Sequence, residues 1–107
     1  MKILGIGVDV IQNKRIQNLV KNKIFIKRTF TTNEIKFSKK NLNKTNYFAK
    51  RFAAKEAFVK SLGTGFRNNL NFKDIEILND KIGKPYYFKS KKINNIIRNK
   101  FKIKKYN

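Results

Sequence analysis

Two carboxylates, Asp9 and Glu56, stand out in a sequence that holds only six acidic residues among 107. Asp9 follows the apolar stretch that opens KILGIGVDVI at 2–11, beside two glycines on the same strand face. Glu56 lies within RFAAKEAFVKSLGTG at 51–65, four residues before Lys60. Two carboxylates with open coordination positions suit Mg²⁺, which keeps several waters and binds substrate phosphates. If a strand and a helix bring them together, the sequence predicts a magnesium site, with Lys60 placed to meet a phosphate oxygen.

Each carboxylate also has an ordinary structural explanation, and the residues alone leave both explanations open. An exposed ion pair with the lysine four residues later would explain Glu56 and would contribute only about 0.2–0.5 kcal/mol. Asp9 would simply cap the helix that follows it. Helical periodicity, however, puts Arg51 and Lys55 on the predicted solvent-facing side and turns Glu56 towards its apolar neighbours. An unpaired carboxylate there would cost several kcal/mol, and a metal ion or a phosphate-bound cation would remove that cost.

The elements expected to position these residues alternate between strand and helix. Hydrophobic periodicity and capping signals predict four of them in the first half: a strand at 2–11, a short helix at 12–20, a helix that opens with the capping-box pair Thr31 and Glu34, and a long helix from Asn46 to Leu62 that ends at Gly63.

The second half of the chain begins with two predicted strands rather than with helices. Alternation predicts a strand in FKDIEILND at 72–80, a turn, and a second strand at 84–89 that starts beside the chain's single proline, Pro85. A short helix is predicted at 92–100, and the alternation of FKIKKY predicts an outer strand at 101–106. No internal repeat or linker interrupts the pattern. The sequence therefore predicts a single α+β domain over residues 1–107.

Composition narrows the classes of function. Without cysteine or histidine, the chain has no disulfide framework, no cysteine-based zinc site and no Ser-His-Asp triad. Its longest apolar run, at 3–8, is too short to span a bilayer and lacks a signal-peptide cleavage site, so we expect a soluble, cytoplasmic protein without a membrane partner. The net charge of +21 would suit nucleic acid. Codon bias towards A and T, however, would produce the abundance of Lys, Asn, Ile, Phe and Tyr, and with it most of the charge, whatever the function.

Three stretches carry a resemblance to a known family: GIGVDVIQNKRI at 5–16, RFAAKEAFVKSLGTG at 51–65 and GKP at 83–85. In order and spacing they resemble the holo-acyl-carrier-protein synthases, the small 4′-phosphopantetheinyl transferases. The middle stretch is long and specific, whereas a Gly-x-Asp motif alone would not be. The resemblance implies an antiparallel sheet packed against a long central helix.

The resemblance also implies roles for the residues that match the family's motifs. It implies that Asp9 and Glu56 hold Mg²⁺ and that Lys60 contacts the coenzyme A pyrophosphate, with Glu56 and Lys60 as the catalytic residues. Arg15 belongs to the basic helix that receives the carrier protein. The attacking serine hydroxyl needs a base, and in a chain without histidine the candidates are Glu56 or a magnesium-bound water. Three further residues are implied to complete the coenzyme A site: Gly63, Gly65 and Pro85.

The implied reaction transfers 4′-phosphopantetheine from coenzyme A to a serine of apo acyl carrier protein. The second product is adenosine 3′,5′-bisphosphate, and the reaction serves fatty acid biosynthesis. Acyl carrier proteins are acidic as a family, so a basic helix at 12–23 would steer their approach electrostatically. Because family members of this size form trimers with active sites between subunits, we expect a homotrimer.

Two departures from the family pattern leave other functions open. Gln12 stands where the family often has Glu, and the sequence lacks the Ser-x-Ser/Thr-His strand and the final strand that usually follow. The second departure predicts an incomplete C-terminal sheet with an open edge. An inactive, truncated remnant of the transferase is therefore one alternative. A basic nucleic-acid-binding module is another, although Asp9 and Glu56 would repel phosphate in the absence of metal.

Overall fold

The computed structural model describes residues 14–63 and 70–106, with side chains through Asn99. The predicted first strand at 2–11, and with it Asp9, lies outside the described residues, as does Gly65. In chain order the elements are helices α1 (Lys14–Leu19), α2 (Lys23–Thr29), α3 (Thr32–Ser38) and α4 (Lys44–Leu62), a 3₁₀ turn (Phe72–Asp74), strands β1 (Ile77–Asn79) and β2 (Pro85–Tyr87), and helix α5 (Lys91–Tyr106).

Helix α4 is the long central helix that the sequence predicts, with a start two residues earlier. The Asn43 side chain caps its first turn by accepting a hydrogen bond from the backbone N–H of Asn46 at 3.0 Å. Gly63 ends the helix in the left-handed conformation, with φ of 71°, and its N–H donates to the Lys60 carbonyl at 3.1 Å. This conformation is costly for residues with a Cβ, which confirms Gly63 as the C-terminal stop.

Helix α4 bridges two apolar clusters, one near each of its ends. Around its first half, the aromatic rings of Phe25 and Phe52 meet edge to face with centroids 5.2 Å apart, and Phe30 lies 4.8 Å from Phe48. The buried members of this first cluster are Ile16, Val20, Phe30, Tyr47, Phe48, Ala49 and Phe52. The second cluster joins the end of α4 to the hairpin region and to α5, and its buried members are Phe58, Val59, Leu62, Leu70, Ile75 and Ile93.

Strands β1 and β2 form an antiparallel hairpin, as the sequence predicts, but each strand has three residues. In the turn, the Asp80 side chain accepts hydrogen bonds from the N–H groups of Ile82 and Lys84 at 3.0 and 2.8 Å. Gly83 adopts a φ of 87°, and Pro85 opens β2 in the predicted place. The predicted strand at 72–80 is shorter than expected because its first residues form the 3₁₀ turn.

The hairpin packs on α4, which confirms the predicted α+β class with an antiparallel sheet against a long central helix. The Tyr87 hydroxyl donates a hydrogen bond to the Ala54 carbonyl of α4 at 2.8 Å. Burial of this phenol raises the pKa of Tyr87 to about 12. Among the described residues the sheet has two strands.

The strand predicted at 101–106 is wrong, because α5 continues without a break from Lys91 to Tyr106. Ser90 caps this helix, since its hydroxyl accepts a hydrogen bond from the backbone N–H of Ile93 at 3.2 Å. Neither glycine nor proline occurs between 91 and 106 to end it. A short alternation of apolar and basic residues therefore does not override a helix that is already nucleated.

Candidate active site

Glu56 lies on α4 with 30% of its side chain exposed, beside an arginine from another helix. Its Oε2 is 4.0 Å from Nη2 of Arg15, whose side chain is 63% exposed. The backbone at Arg15 is held in place by its neighbour Ile16, which is 4% exposed and belongs to the first apolar cluster. The structure thus brings together a predicted metal ligand and a predicted carrier-protein contact, for which the family resemblance implies different ligands.

Lys60 lies one turn beyond Glu56, in the last turn of α4, and its side chain is exposed. Residues four apart on a helix share a face, so carboxylate and ammonium are presented to the same region of solvent. Gly63 and Pro85 occupy positions that the helix cap and the strand start already explain. Their predicted contact with coenzyme A stays a prediction, as does the role of Gly65.

Lys55, the residue directly before Glu56, is fully buried, so its predicted place on a solvent-facing side is wrong. Its ammonium donates hydrogen bonds to Oε1 of Glu34 at 2.7 Å, to the Ile75 carbonyl at 2.6 Å and to the Phe72 carbonyl at 3.0 Å. Each of the three N–H groups of the Lys55 ammonium thus has one acceptor. Burial lowers the pKa of Lys55, and the Glu34 carboxylate opposes that shift.

Glu34 is the anionic centre of this buried cluster. Besides Lys55, its carboxylate accepts hydrogen bonds from the N–H groups of Thr31 at 2.9 Å and Ile77 at 3.1 Å. The Thr31 bond belongs to the capping box of α3, which the sequence predicts and the structure confirms. The Thr31 hydroxyl also donates to the carboxylate of Glu76. One side chain therefore caps α3, anchors β1 and neutralises a lysine of α4.

Arg51 is also buried, in contrast to its predicted exposure. Its guanidinium carbon lies 3.6 Å from the centre of the Tyr47 ring, and Nη2 donates to Oδ1 of Asn79 at 3.0 Å. Burial lowers the pKa of Arg51 and raises that of Tyr47, whose hydroxyl donates to the Glu34 carbonyl at 2.8 Å. The hydrogen bond from Arg51 to Asn79 thus joins α4 to the hairpin, in addition to the bond from Tyr87 to Ala54.

The buried contacts of Arg51 and Lys55 fix the rotation of α4 about its own axis. Successive helical residues are about 100° apart, so Lys55 and Glu56 point in different directions, while residues four apart differ by only about 40°. Arg51 and Lys55 form one side, anchored to α3 and the hairpin. Glu56 and Lys60 form the adjacent side, which reaches solvent. The buried contacts therefore set the direction of the candidate catalytic residues.

The donor set on this exposed side suits a hard divalent cation such as Mg²⁺. Glu56 supplies a carboxylate in reach of solvent, which can coordinate a cation that keeps several waters. Across residues 14–63 and 70–99, no three acidic side chains come together into a site that a metal could occupy with protein ligands alone. The second ligand that the resemblance implies, Asp9, lies outside the described residues. Glu56 therefore fits the implied site as one of its ligands.

Comparison with known proteins places the chain in a family. Residues 5–105 match the model of the 4′-phosphopantetheinyl transferase superfamily. The chain belongs to this superfamily, as the sequence resemblance predicts. In the part of the chain that the structure describes, no helix is long and apolar enough to cross a membrane.

Relatives of high identity carry the name holo-acyl-carrier-protein synthase, and the chain belongs with them. It is 56% identical to that enzyme of Pelagibacter ubique over 107 residues, which is all of this chain and 84% of the relative. It is 55% identical to the Clostridium tetani enzyme over 84 residues, which is 78% of this chain and 66% of the relative. The crystal structure of the Neisseria meningitidis synthase superposes on this structure with a TM-score of 0.69 and 39% sequence identity. The match covers 80% of this chain and 70% of the Neisseria chain.

Proposed function

We propose that this chain catalyses the Mg²⁺-dependent transfer of 4′-phosphopantetheine from coenzyme A to a serine of apo acyl carrier protein. The observation that carries the proposal is the match along the whole chain to a relative named holo-acyl-carrier-protein synthase. The geometry agrees with it, because α4 directs a carboxylate and an ammonium of the shared motif towards solvent on one side. A phosphate-bearing substrate would contact the Lys60 ammonium directly and the Glu56 carboxylate only through a bound cation.

Each residue of this side has a part in the proposed reaction. The serine oxygen attacks the phosphorus next to pantetheine, and the bond from that phosphorus to the adenosine bisphosphate oxygen breaks. Lys60 stabilises negative charge on the pyrophosphate oxygens. Glu56 and Asp9 hold Mg²⁺, and a bound Mg²⁺ supplies charge neutralisation at the pyrophosphate. The serine proton leaves to Glu56, directly or through water.

Arg15 gives the proposed carrier protein a point of contact. Its side chain is largely exposed on α1, which ends at Leu19, so the basic helix predicted at 12–23 is wrong in its extent. The helix carries Lys14 and Arg15 and no acidic residue, and the proposed partner is acidic. Opposite charges of this kind accelerate encounter more than they add affinity. The proposal extends to a homotrimer with active sites between subunits, which light scattering on the purified protein tests, and to a cytoplasmic place in fatty acid biosynthesis.

The transfer itself is tested with purified protein, apo carrier protein, coenzyme A and Mg²⁺, read as the mass gained by the intact carrier protein. We expect Asp9→Ala and Glu56→Ala to abolish transfer while circular dichroism stays unchanged, because each removes a metal ligand. Lys60→Ala should raise the KM for coenzyme A, whereas Lys50→Ala, an exposed lysine of the same helix, should not. Transfer at the wild-type rate by either carboxylate variant would refute the assignment.

A further inference from the structure

Arg15 and Glu56 face one another although the proposed function needs each of them for a different ligand. The distance from Nη2 to Oε2 is 4.0 Å, and both side chains are partly exposed. Such a pair is too long for a strong hydrogen bond and is open to water, so either member can change partners at small cost. The same carboxylate is the proposed ligand of Mg²⁺, and the same guanidinium is the proposed contact of an acidic protein.

The packing of α1 on α4 keeps this pair close whatever the side chains do. Ile16 of α1 and Val20, which directly follows α1, are buried in the same apolar cluster as Phe52, one turn before Glu56 on α4. The backbone at Arg15 is therefore fixed relative to α4, while its long side chain extends into solvent. Rotation about the side-chain bonds of Arg15 is enough to bring the guanidinium onto Glu56 or away from it.

We propose that Arg15 is shared between Glu56 and the carrier protein, and that binding of Mg²⁺ decides which of them it contacts. This inference rests on the proposed function. Without the cation, Arg15 neutralises Glu56. When Mg²⁺ binds the carboxylate, it competes with the guanidinium, and Arg15 is released towards the acidic carrier protein. Metal binding and carrier binding then strengthen one another by the same factor, as linkage requires.

The size of the coupling follows from the exposure of the pair. Exposed ion pairs are weak because water screens them and because ordering two long side chains costs entropy. We expect a factor of about two to five in each affinity, which at 1.4 kcal/mol per factor of ten is about 0.4–1 kcal/mol. An effect of this size requires a control that changes the net charge equally. Lys14 provides it, because it is exposed, adjacent to Arg15 and equally charged.

The first experiment measures Mg²⁺ affinity by titration calorimetry in the full chain, without substrates. Removing the competitor should make Arg15→Gln bind Mg²⁺ two- to fivefold more tightly than Lys14→Gln does. Equal affinities would overturn the inference. Glu56→Gln distinguishes this failure from failure of the proposed function. If Glu56→Gln loses Mg²⁺ binding while Arg15→Gln matches Lys14→Gln, only the inference is wrong; if Glu56→Gln binds as the wild type does, the proposed metal site is wrong as well.

The second experiment measures binding of apo acyl carrier protein with and without Mg²⁺, in the absence of coenzyme A and at equal ionic strength. In the wild type, Mg²⁺ should tighten carrier binding two- to fivefold. In Glu56→Gln, Arg15 has no carboxylate to neutralise, so the carrier should bind independently of Mg²⁺ and about as tightly as it binds the magnesium-loaded wild type. Carrier binding that ignores Mg²⁺ in the wild type, or still depends on it in Glu56→Gln, would overturn the inference.

Discussion

Replacing Lys55 by methionine would remove the positive charge at the centre of the contacts between α3, α4 and the hairpin. The methionine side chain has nearly the same length and flexibility, so it should fill most of the space. It donates no hydrogen bond. The carbonyls of Phe72 and Ile75 would each lose a donor, and the fully buried Glu34 carboxylate would lose the cation that donates to it.

The expected loss of unfolding free energy follows from the buried groups that Lys55→Met leaves without a partner. Removing one partner of a buried ion pair costs about 3–5 kcal/mol, because the remaining charge is not solvated. Glu34 retains the N–H donors of Thr31 and Ile77, which limits its part of the loss. The two orphaned carbonyls add to it, since an unsatisfied buried polar group costs about 1–3 kcal/mol. Because these contributions overlap, we expect Lys55→Met to lower the free energy of unfolding by about 4 kcal/mol.

Urea unfolding followed by circular dichroism measures this change. Lys50→Met is the matched control, because Lys50 is exposed on the same helix, and it should stay within about 0.5 kcal/mol of the wild type. The double variant Glu34→Gln/Lys55→Met removes both charges and should recover about half of the loss. If Lys55→Met lies within about 1 kcal/mol of Lys50→Met in unfolding free energy, the buried pair does not hold α4 in place.

Two further changes test the hairpin contact and the end of α4. Because burial raises the pKa of Tyr87 to about 12, this phenol contributes stability that is complete below pH 10 and lost as the pH rises from 10 to about 12. Tyr87→Phe should cost about 1 kcal/mol at neutral pH, through the lost bond to Ala54, and should flatten the alkaline fall in unfolding free energy; an unchanged alkaline slope would contradict the assignment. Gly63→Ala should lower stability by about 1 kcal/mol in thermal unfolding because of its left-handed φ, and Gly63→Asn by less; equal losses would argue against the backbone conformation as the cause.

Features of the fold with local signals could be predicted from the sequence. The capping box at Thr31 and Glu34, the glycine that ends α4 and the turn before Pro85 each depend on a few neighbouring residues, and all three are confirmed. The C-terminal segment was less predictable. Residues 101–106 alternate as a strand would, but a strand needs a partner that local sequence does not reveal, whereas a helix only has to continue.

The motif predicts roles for Glu56 and Lys60, but it does not reveal the residues that orient them. A charged residue on a helix is by default assigned to the surface, and helical periodicity wrongly places Arg51 and Lys55 there. The exception depends on a partner that is distant in the chain, because Glu34 lies 21 residues before Lys55. The predicted capping box did point to Glu34 as a structured carboxylate. Its second role, as the counter-ion of a buried lysine, depends on how α3 packs against α4.

The adjacent charges of Lys55 and Glu56 divide structural and chemical work between two sides of one helix. An inward-facing lysine needs a complete set of acceptors, and α3 and the segment before β1 supply them. Once that set is satisfied, α4 cannot rotate without separating a buried ion pair, and the next residue must point about 100° away, towards Arg15 and solvent. The free energy that stabilises the buried side therefore also holds the position of the exposed carboxylate. The proposed metal ligand on this helix therefore needs no rigid contacts of its own, which is what the proposed exchange of Arg15 for a cation requires.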